Sequence, residues 1–264
     1  MQSMRPEQLY PDLTAVPGRL GEIARRRWQE GNFDIEELVL GPTPPSLARA
    51  LAQAGISLIA EFKRQSPSEG LIADFDPVST CRNYQEAGAR ACSILTEPHF
   101  FAGSDSDLRL VRAELSLPLL RKDFVVHPNM LLQSRALGAS AVLLIVAILG
   151  SLTASYLELA REAGVAALVE VHDARELELA ISSGAEIIGV NNRNLLDLSV
   201  DLTTASRLGN LAREHGFNGL LVAESGYQDA ESIAALAGVF DGVLVGTALM
   251  KNPELAREIA SLDR

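Results

Sequence analysis

Glu61 and Lys63 stand two residues apart in the stretch LIAEFKRQSPSEG (58–70), directly after an apolar run and directly before the turn-formers Ser66, Pro67, Ser68 and Gly70. In an extended chain that spacing points both side chains the same way, so a carboxylate and an ammonium are delivered together where a buried strand ends. The habit recurs. Arg121, Lys122 and Asp123 follow LPLL, Glu170 sits near the end of AALVEV, and Asn191 and Arg193 close EIIGVNNR. Glu224, Ser225 and Gly226 follow LLVA, and Gly246 and Thr247 follow GVLV. Within LPLLRKDF, Lys122 shares a face with Leu120 and Phe124, whereas Arg121 and Asp123 take the opposite one. Ammonium groups flanked by carboxylates can hold an anion and move protons. The carboxylates favour the charged lysine and a second lysine opposes it, a balance that predicts a lysine able to donate a proton near neutral pH.

A single charge of this kind reads as a structural ion pair or a solvated rim residue. Repeated at six run ends, it reads as a site, and the elements that must position it are legible. Eight apolar runs, ISLIAEF, ARACSILT, LPLLRKDF, AVLLIVAIL, AALVEV, EIIGVNN, LLVAES and GVLVGTAL, alternate with amphipathic stretches. Most are nearly continuously hydrophobic, as parallel strands covered on both faces must be. The amphipathic stretches close on AGA (87–89), LGA (137–139), AGV (163–165), SGA (183–185) and AGV (237–239), each a helix ending at a left-handed glycine. Helix starts are marked by Asp76 before Pro77, by Ser104 before Asp107, and by Asp173 with Glu176 as a capping box.

Eight β-then-α units predict an α/β chain forming a single (β/α)8 TIM barrel, in which chemistry sits at the carboxyl ends of the strands. Glu61, Lys63, Lys122 and Glu170 are then expected to converge in the barrel mouth. Gly226 and Gly246 follow strands seven and eight, the usual phosphate position of this fold, and the segment after Gly246 can open a short helix with free N–H groups. Residues 1–46 stand outside the repeat. RLGEIARRRWQEG (19–31) predicts a helix with basic residues on one side, and GPTPPS (41–46) a connector. An N-terminal helical extension (1–46) packing on a barrel catalytic domain (47–264) is the expected organisation.

The chain has 264 residues, 47% of them hydrophobic, enough for one large core. Its formal charge of −11 argues against nucleic acid or an anionic membrane as partner, so an anionic ligand must be held by a local cluster of cations. Cys81 and Cys92 lack any CxxC spacing and are expected to be reduced and buried. His99, His127, His172 and His215 show no ligand spacing, so no metal site is expected; His127, before Pro128, and His172, beside Asp173, are read as shaping helix starts. The amino terminus carries no apolar signal core and AVLLIVAIL is too short to span a bilayer, which predicts a cytoplasmic protein; a monomer is the default.

The segments IAEFKRQSPSEG, TEPHFFAGS, LLRKDF, ALGASAVLLI, LVEVHD, IIGVNNRNL, VAESG and LVGTALM resemble the indole-3-glycerol phosphate synthase family, from the arm to KNPE near the end of the chain. The resemblance implies a reaction without metal or coenzyme: 1-(2-carboxyphenylamino)-1-deoxyribulose 5-phosphate cyclises, loses carbon dioxide and then water, and leaves as indole-3-glycerol phosphate in tryptophan biosynthesis. It implies Lys122 as general acid on the ketone oxygen and Glu170 as general base in the later steps. Lys63 would hold the benzoate carboxylate and share proton delivery, and Glu61, Asn191 and Glu224 would orient these groups. Substrate contacts would fall to Arg193, Phe124 and, at the phosphate, Ser66, Ser225, Gly226, Gly246 and Thr247. The arm is expected to lie partly over the mouth. Gln65, Asn194, His127, Asn129 and Met130 depart from the residues usual in the family, which bears on loop dynamics and helix packing more than on the reaction. A phosphosugar isomerase such as phosphoribosylanthranilate isomerase would share the phosphate site without the paired lysines, and a non-catalytic relative would not need Glu61, Lys63, Lys122 and Glu170 together.

Overall fold

Each of the eight apolar runs supplies one barrel strand: β1 (Ser57–Phe62), β2 (Ala91–Leu95), β3 (Leu119–Lys122), β4 (Ala141–Ile145), β5 (Ala166–Val171), β6 (Ile187–Asn191), β7 (Leu220–Glu224) and β8 (Gly242–Val245). The computed structural model describes residues 9–35, 38–66, 70–72, 75–195 and 197–262. All neighbours are parallel and the sheet closes through pairing of β1 with β8, in register Ser57↔Gly242 to Ala60↔Val245. Every residue of β1, β2, β4 and β6 is buried, because helices cover the outside while side chains fill the inside.

Two runs are shorter as strands than their hydrophobicity suggests. AVLLIVAIL leaves the sheet at Ile145 and coils into a helical turn, Val146–Leu149. A fully apolar run carries no period that separates buried strand from buried helix. LPLLRKDF ends as strand at Lys122, because the Asp123 carboxylate accepts from the Phe124 N–H at 2.8 Å and turns the chain.

The helix punctuation is as the residue types require. Gly88, Gly138, Gly164, Gly184 and Gly238 all have positive φ. Asp76 caps by accepting from Ser79 N at 2.7 Å, and Ser104 from Ser106 N at 3.1 Å. Asp173 accepts from Glu176 N at 2.8 Å, but the other half of the expected capping box is displaced by one residue. The Glu176 carboxylate takes the N–H of His172, at 2.8 Å, rather than that of the cap. Beyond β1, Gln65–Ser66 and Gly70–Leu71 pair antiparallel as a small hairpin. Pro67 and Ser68 of the predicted turn lie outside the described residues.

The arm helix, Gly18–Gly31, packs Leu20 and Ala24 into the core continuous with the barrel. Its arginines are not one basic face. Arg27 is buried and makes two hydrogen bonds to Asp123, at 2.9 and 2.8 Å, while Arg25 donates to the Leu13 carbonyl. Asp123 also accepts from Thr96 Oγ1 at 2.6 Å and lies 3.3 Å from Arg121, itself wholly buried and bonded to Asp105, Gln133 and Ser134. The outward face of β3 thus ties barrel to arm. Three of the residues that depart from the family pattern sit at the same junction: His127 packs on Trp28 at 4.6 Å between ring centroids, Asn129 donates to the Phe33 carbonyl at 2.7 Å, and Met130 is buried close to Gly31. Cys81 and Cys92 are free and buried. Among the described residues no helix is long and apolar enough to cross a membrane.

Candidate active site

The carboxyl ends of the strands open into a cavity of about 700 Å³, closed on one side by Arg19, Leu20 and Ile23 of the arm helix. Of the residues named at the strand ends all but Arg121 line it: Glu61, Lys63, Lys122, Asp123, Glu170, Asn191, Arg193, Glu224, Ser225, Gly226, Gly246 and Thr247, together with Ser66 and Phe124. Arg19, Lys63, Lys122, Arg193 and Lys251 set five cations against the four carboxylates Glu61, Asp123, Glu170 and Glu224 on this one surface of an acidic chain. Leu95, Phe101, Phe124, Leu143 and Ile145 form an apolar wall, with the Phe101 and Phe124 rings 6.0 Å apart. A cavity with an apolar wall and converging cations suits an aromatic anion.

Lys122 is the centre of the charge cluster. Its Nζ lies 2.6 Å from Glu224 Oε2 and 3.2 Å from Glu170 Oε2, while Lys63 Nζ is 2.9 Å from Glu61 Oε1. Two glycines make these approaches possible. A Cβ on Gly189, in β6, would stand 2.1 Å from Glu224 Oε1, and one on Gly246 would stand 2.3 Å from Glu61 Oε1. Gly246 stands out in the sequence by its place after β8. Gly189, absent from the expected site, carries a signal of its own: a glycine inside an otherwise branched strand, where a close approach is the common reason.

The electrostatics correct one expectation. Burial disfavours the Lys122 charge, but Glu224, Glu170 and Glu61 outweigh it and hold its pKa well above the ordinary lysine range. Repulsion between lysines does not bring it to neutrality, because Lys63 is engaged by Glu61. The two carboxylates on Lys122 separate instead. Burial pushes Glu224 up to about 7, with Glu170 and Glu61 adding to the rise against Lys122. Glu170, equally buried, is drawn the other way, down to about 2, by Lys122 and His172 and by a hydrogen bond from Asn191. Glu170 therefore carries the negative charge while Glu224 is the more readily protonated.

His172 does more than shape a helix start. Its Nε2 lies 3.2 Å from Glu170 Oε1 and its Nδ1 3.0 Å from Glu176 Oε2. Burial opposes its charge, but Glu170 and Glu176 push its pKa up to about 10. The signal was available: His172 follows Glu170 by two, the spacing that drew attention to Glu61 and Lys63. Because the folded value is raised, this imidazolium contributes stability that is complete below pH about 6.5 and fades as pH rises toward 10. In an NMR titration His172 is expected to stay protonated beyond pH 8, whereas His127, lowered by burial, titrates below the usual histidine value. A neutral His172 at pH 7 would contradict this.

The loop after β7 is held in a bent form. Ser225 and Gly226 have φ of 67° and 95°, and for Ser225 that left-handed conformation carries strain. Asn192 fixes it, donating to the Ser225 carbonyl at 3.0 Å and accepting from Ala205 N at 2.8 Å. Arg193 donates to the Leu198 carbonyl at 2.9 Å, which places its guanidinium along the cavity wall.

A closed parallel barrel whose strand ends converge paired ammonium and carboxylate groups in a cation-lined cavity defines a (β/α)8-barrel enzyme doing acid–base chemistry on an anionic small molecule. The family model described as indole-3-glycerol phosphate synthase matches residues 14–262. Curated relatives of that name include one from Deinococcus radiodurans, 45% identical over 93% of this chain and 95% of its own, and one from Chlorobium phaeovibrioides, 49% identical over 81% and 84%. The chain belongs to the indole-3-glycerol phosphate synthase family: it is a carboxy-lyase that closes the ring of 1-(2-carboxyphenylamino)-1-deoxyribulose 5-phosphate and releases carbon dioxide and water to give indole-3-glycerol phosphate in tryptophan biosynthesis. Among solved structures, tryptophan synthase subunit alpha from Legionella pneumophila shares the fold, with a TM-score of 0.56 at 14% identity over 81% of this chain and 94% of that one.

Proposed function

We propose that Lys122 protonates the ketone oxygen of the substrate during ring closure and that Glu170 takes up a proton in the steps that follow. The observation that carries this reading is the position of Lys122 Nζ, within 3.2 Å of both Glu170 and Glu224 and facing the apolar wall across one cavity. Proton donation makes the ketone carbon electrophilic, and the ring carbon bearing the carboxylate attacks it. Loss of that carboxylate as carbon dioxide restores the aromatic ring. The new hydroxyl then leaves as water, its departure assisted by a proton donor, while a carboxylate removes a proton from the adjacent CH2 to form the indole double bond. The low pKa of Glu170 fits a group ionised before the reaction begins. Lys122, charged at neutral pH, is loaded as the donor.

Lys63, in the same reading, pairs with the benzoate carboxylate, taking it in exchange for part of its contact with Glu61. Phe124 and Phe101 face the aromatic ring. Asn191 orients Glu170, and Glu61 and Glu224 orient the two lysines. The phosphate lies against Ser66, Ser225, Gly226, Gly246 and Thr247, with Arg193 near the sugar hydroxyls. Residues 1–46 act as an extension closing the mouth of the catalytic domain formed by 47–264. The protein acts as a cytoplasmic monomer on a small phosphorylated molecule, with neither nucleic acid nor membrane as a partner.

Indole fluorescence on mixing the protein with substrate tests the reading. Wild type is expected to turn over; Glu170→Gln is expected to lose about a hundredfold in kcat with KM within a fewfold of wild type. A Glu170→Gln variant at near-normal kcat would remove the general base from this account.

A further inference from the structure

We infer that His172 is a positioning residue: held from behind by Glu176, its ring faces Glu170 Oε1 as a 3.2 Å ion pair and so favours the orientation in which Oε2 meets Lys122 and the substrate. The inference rests on Glu170 acting as the base. His172 does not line the cavity, so it cannot meet the substrate itself; it can reach the reaction only through Glu170. The geometry is a relay of alternating charge, Glu176, His172, Glu170, Lys122 and Glu224, with contacts of 3.0, 3.2, 3.2 and 2.6 Å.

Each link is fixed by a different part of the fold. Glu176 sits in the first turn of the helix Ala174–Ser182, where it accepts both the backbone N–H of His172 and contact from the ring. With Nδ1 taken by Glu176, only Nε2 is left to face Glu170. The carboxylate is then shared. Oε1 faces a cation on the helix side of the site and Oε2 a cation on the cavity side, so the plane of the carboxylate is determined by two points rather than one. The charged groups around the pair are Glu176 behind it, Lys122 from β3, Glu61 from β1 and Glu224 from β7, with Asn191 from β6 bonded to Glu170. The turn Val146–Leu149, which packs on both β5 and the helix Ala174–Ser182, brings no charged side chain.

The consequence is chemical as well as geometric. Three carboxylates, Glu61, Glu170 and Glu224, surround Lys122. Glu61 has Lys63 and Glu170 has His172 as a second cation, at 2.9 and 3.2 Å, so between the two carboxylates that touch Lys122 it is His172 that keeps Glu170 ionised and leaves Glu224 to take up a proton. Without His172 the competition between them is open.

His172→Asn keeps a polar side chain but neither the charge nor the reach. It is expected to lower kcat by about 10- to 100-fold with little change in KM. The acid limb of the kcat profile should move up by roughly one to two pH units, because a carboxylate that loses a neighbouring cation is protonated more easily. Glu176→Gln, which leaves the barrel interior untouched, should shift the same limb in the same direction by less, and serves if His172→Asn does not fold. In the double variant Glu170→Gln/His172→Asn the second change should cost nothing further, since its effect passes through a group already removed. Three results overturn the inference: an unmoved acid limb in the folded single variants, wild-type kcat in His172→Asn, or a double variant much slower than Glu170→Gln. The first two, with Glu170→Gln inactive, leave the general base standing. A fully active Glu170→Gln removes both.

Discussion

Lys122→Ala is expected to reduce kcat by about a thousandfold or more while leaving KM within a fewfold, because the group removed acts mainly where charge develops on the ketone oxygen. Lys63 is engaged by Glu61 at 2.9 Å, and the Arg193 guanidinium is tied to the Leu198 carbonyl. The variant also leaves Glu170 and Glu224 facing each other without the cation between them, so both should become easier to protonate. Lys122→Arg separates the two effects. It keeps a positive charge for the carboxylates but replaces the compact ammonium with a larger planar guanidinium, which does not put a proton at the position Lys122 Nζ occupies. Thermal stability should therefore be largely restored in Lys122→Arg while turnover is not. Single-turnover fluorescence with each variant reads the chemical step directly. Near-normal kcat in Lys122→Ala would place the general acid elsewhere, with Lys63 the next residue to test.

Asp123→Ala is expected to cost about 3–5 kcal/mol of stability, because it strands buried guanidinium groups that the aspartate compensates. Arg121 is fully buried and Arg27 nearly so, and Asp123 meets both, together with the Thr96 hydroxyl and the Phe124 N–H. For a chain of this size that loss corresponds to a fall of roughly 10 °C in melting temperature. The pH dependence has a definite sign. Burial alone would raise the Asp123 pKa, but Arg121 and Arg27 overcome it and hold the pKa below the ordinary aspartate value. The stabilisation is thus present above the unfolded pKa and disappears as pH falls through the folded one. The melting temperatures of wild type and Asp123→Asn should stay furthest apart above pH about 4 and draw together as pH falls below it. Parallel curves would show that the charge of Asp123 is not what holds the arm.

Much of the barrel could be anticipated, for reasons that particular residues make plain. A parallel strand buried on both faces has to be apolar almost throughout, and a helix returning to the sheet has to reverse its chain, which is why Gly88, Gly138, Gly164, Gly184 and Gly238 stand at the boundaries. The candidate site was legible because strand ends are where an apolar run can carry a charge, and period two assigned Lys122 inward and Asp123 outward. The missing features depend on pairs of residues far apart in the chain. Nothing local announces that Arg27 will reach Asp123, or that the group approaching Gly189 will be Glu224. The protonation of the cluster was also beyond reach. Whether Lys122 sits high or near neutrality depends on how many carboxylates converge on it, and that is a property of the closed barrel alone.

Lys122 and Asp123 are consecutive, one in the charge cluster of the cavity and the other bonded to the arm. A single peptide unit therefore couples the roof of the chamber to the proposed proton donor. Lifting that roof, by a nick between residues 31 and 47 or by a truncation that deletes Arg27, would loosen the strand end on which the donor is mounted. The extension is in this sense a part of the machinery's chassis, and a shortened enzyme should lose turnover before it loses its barrel.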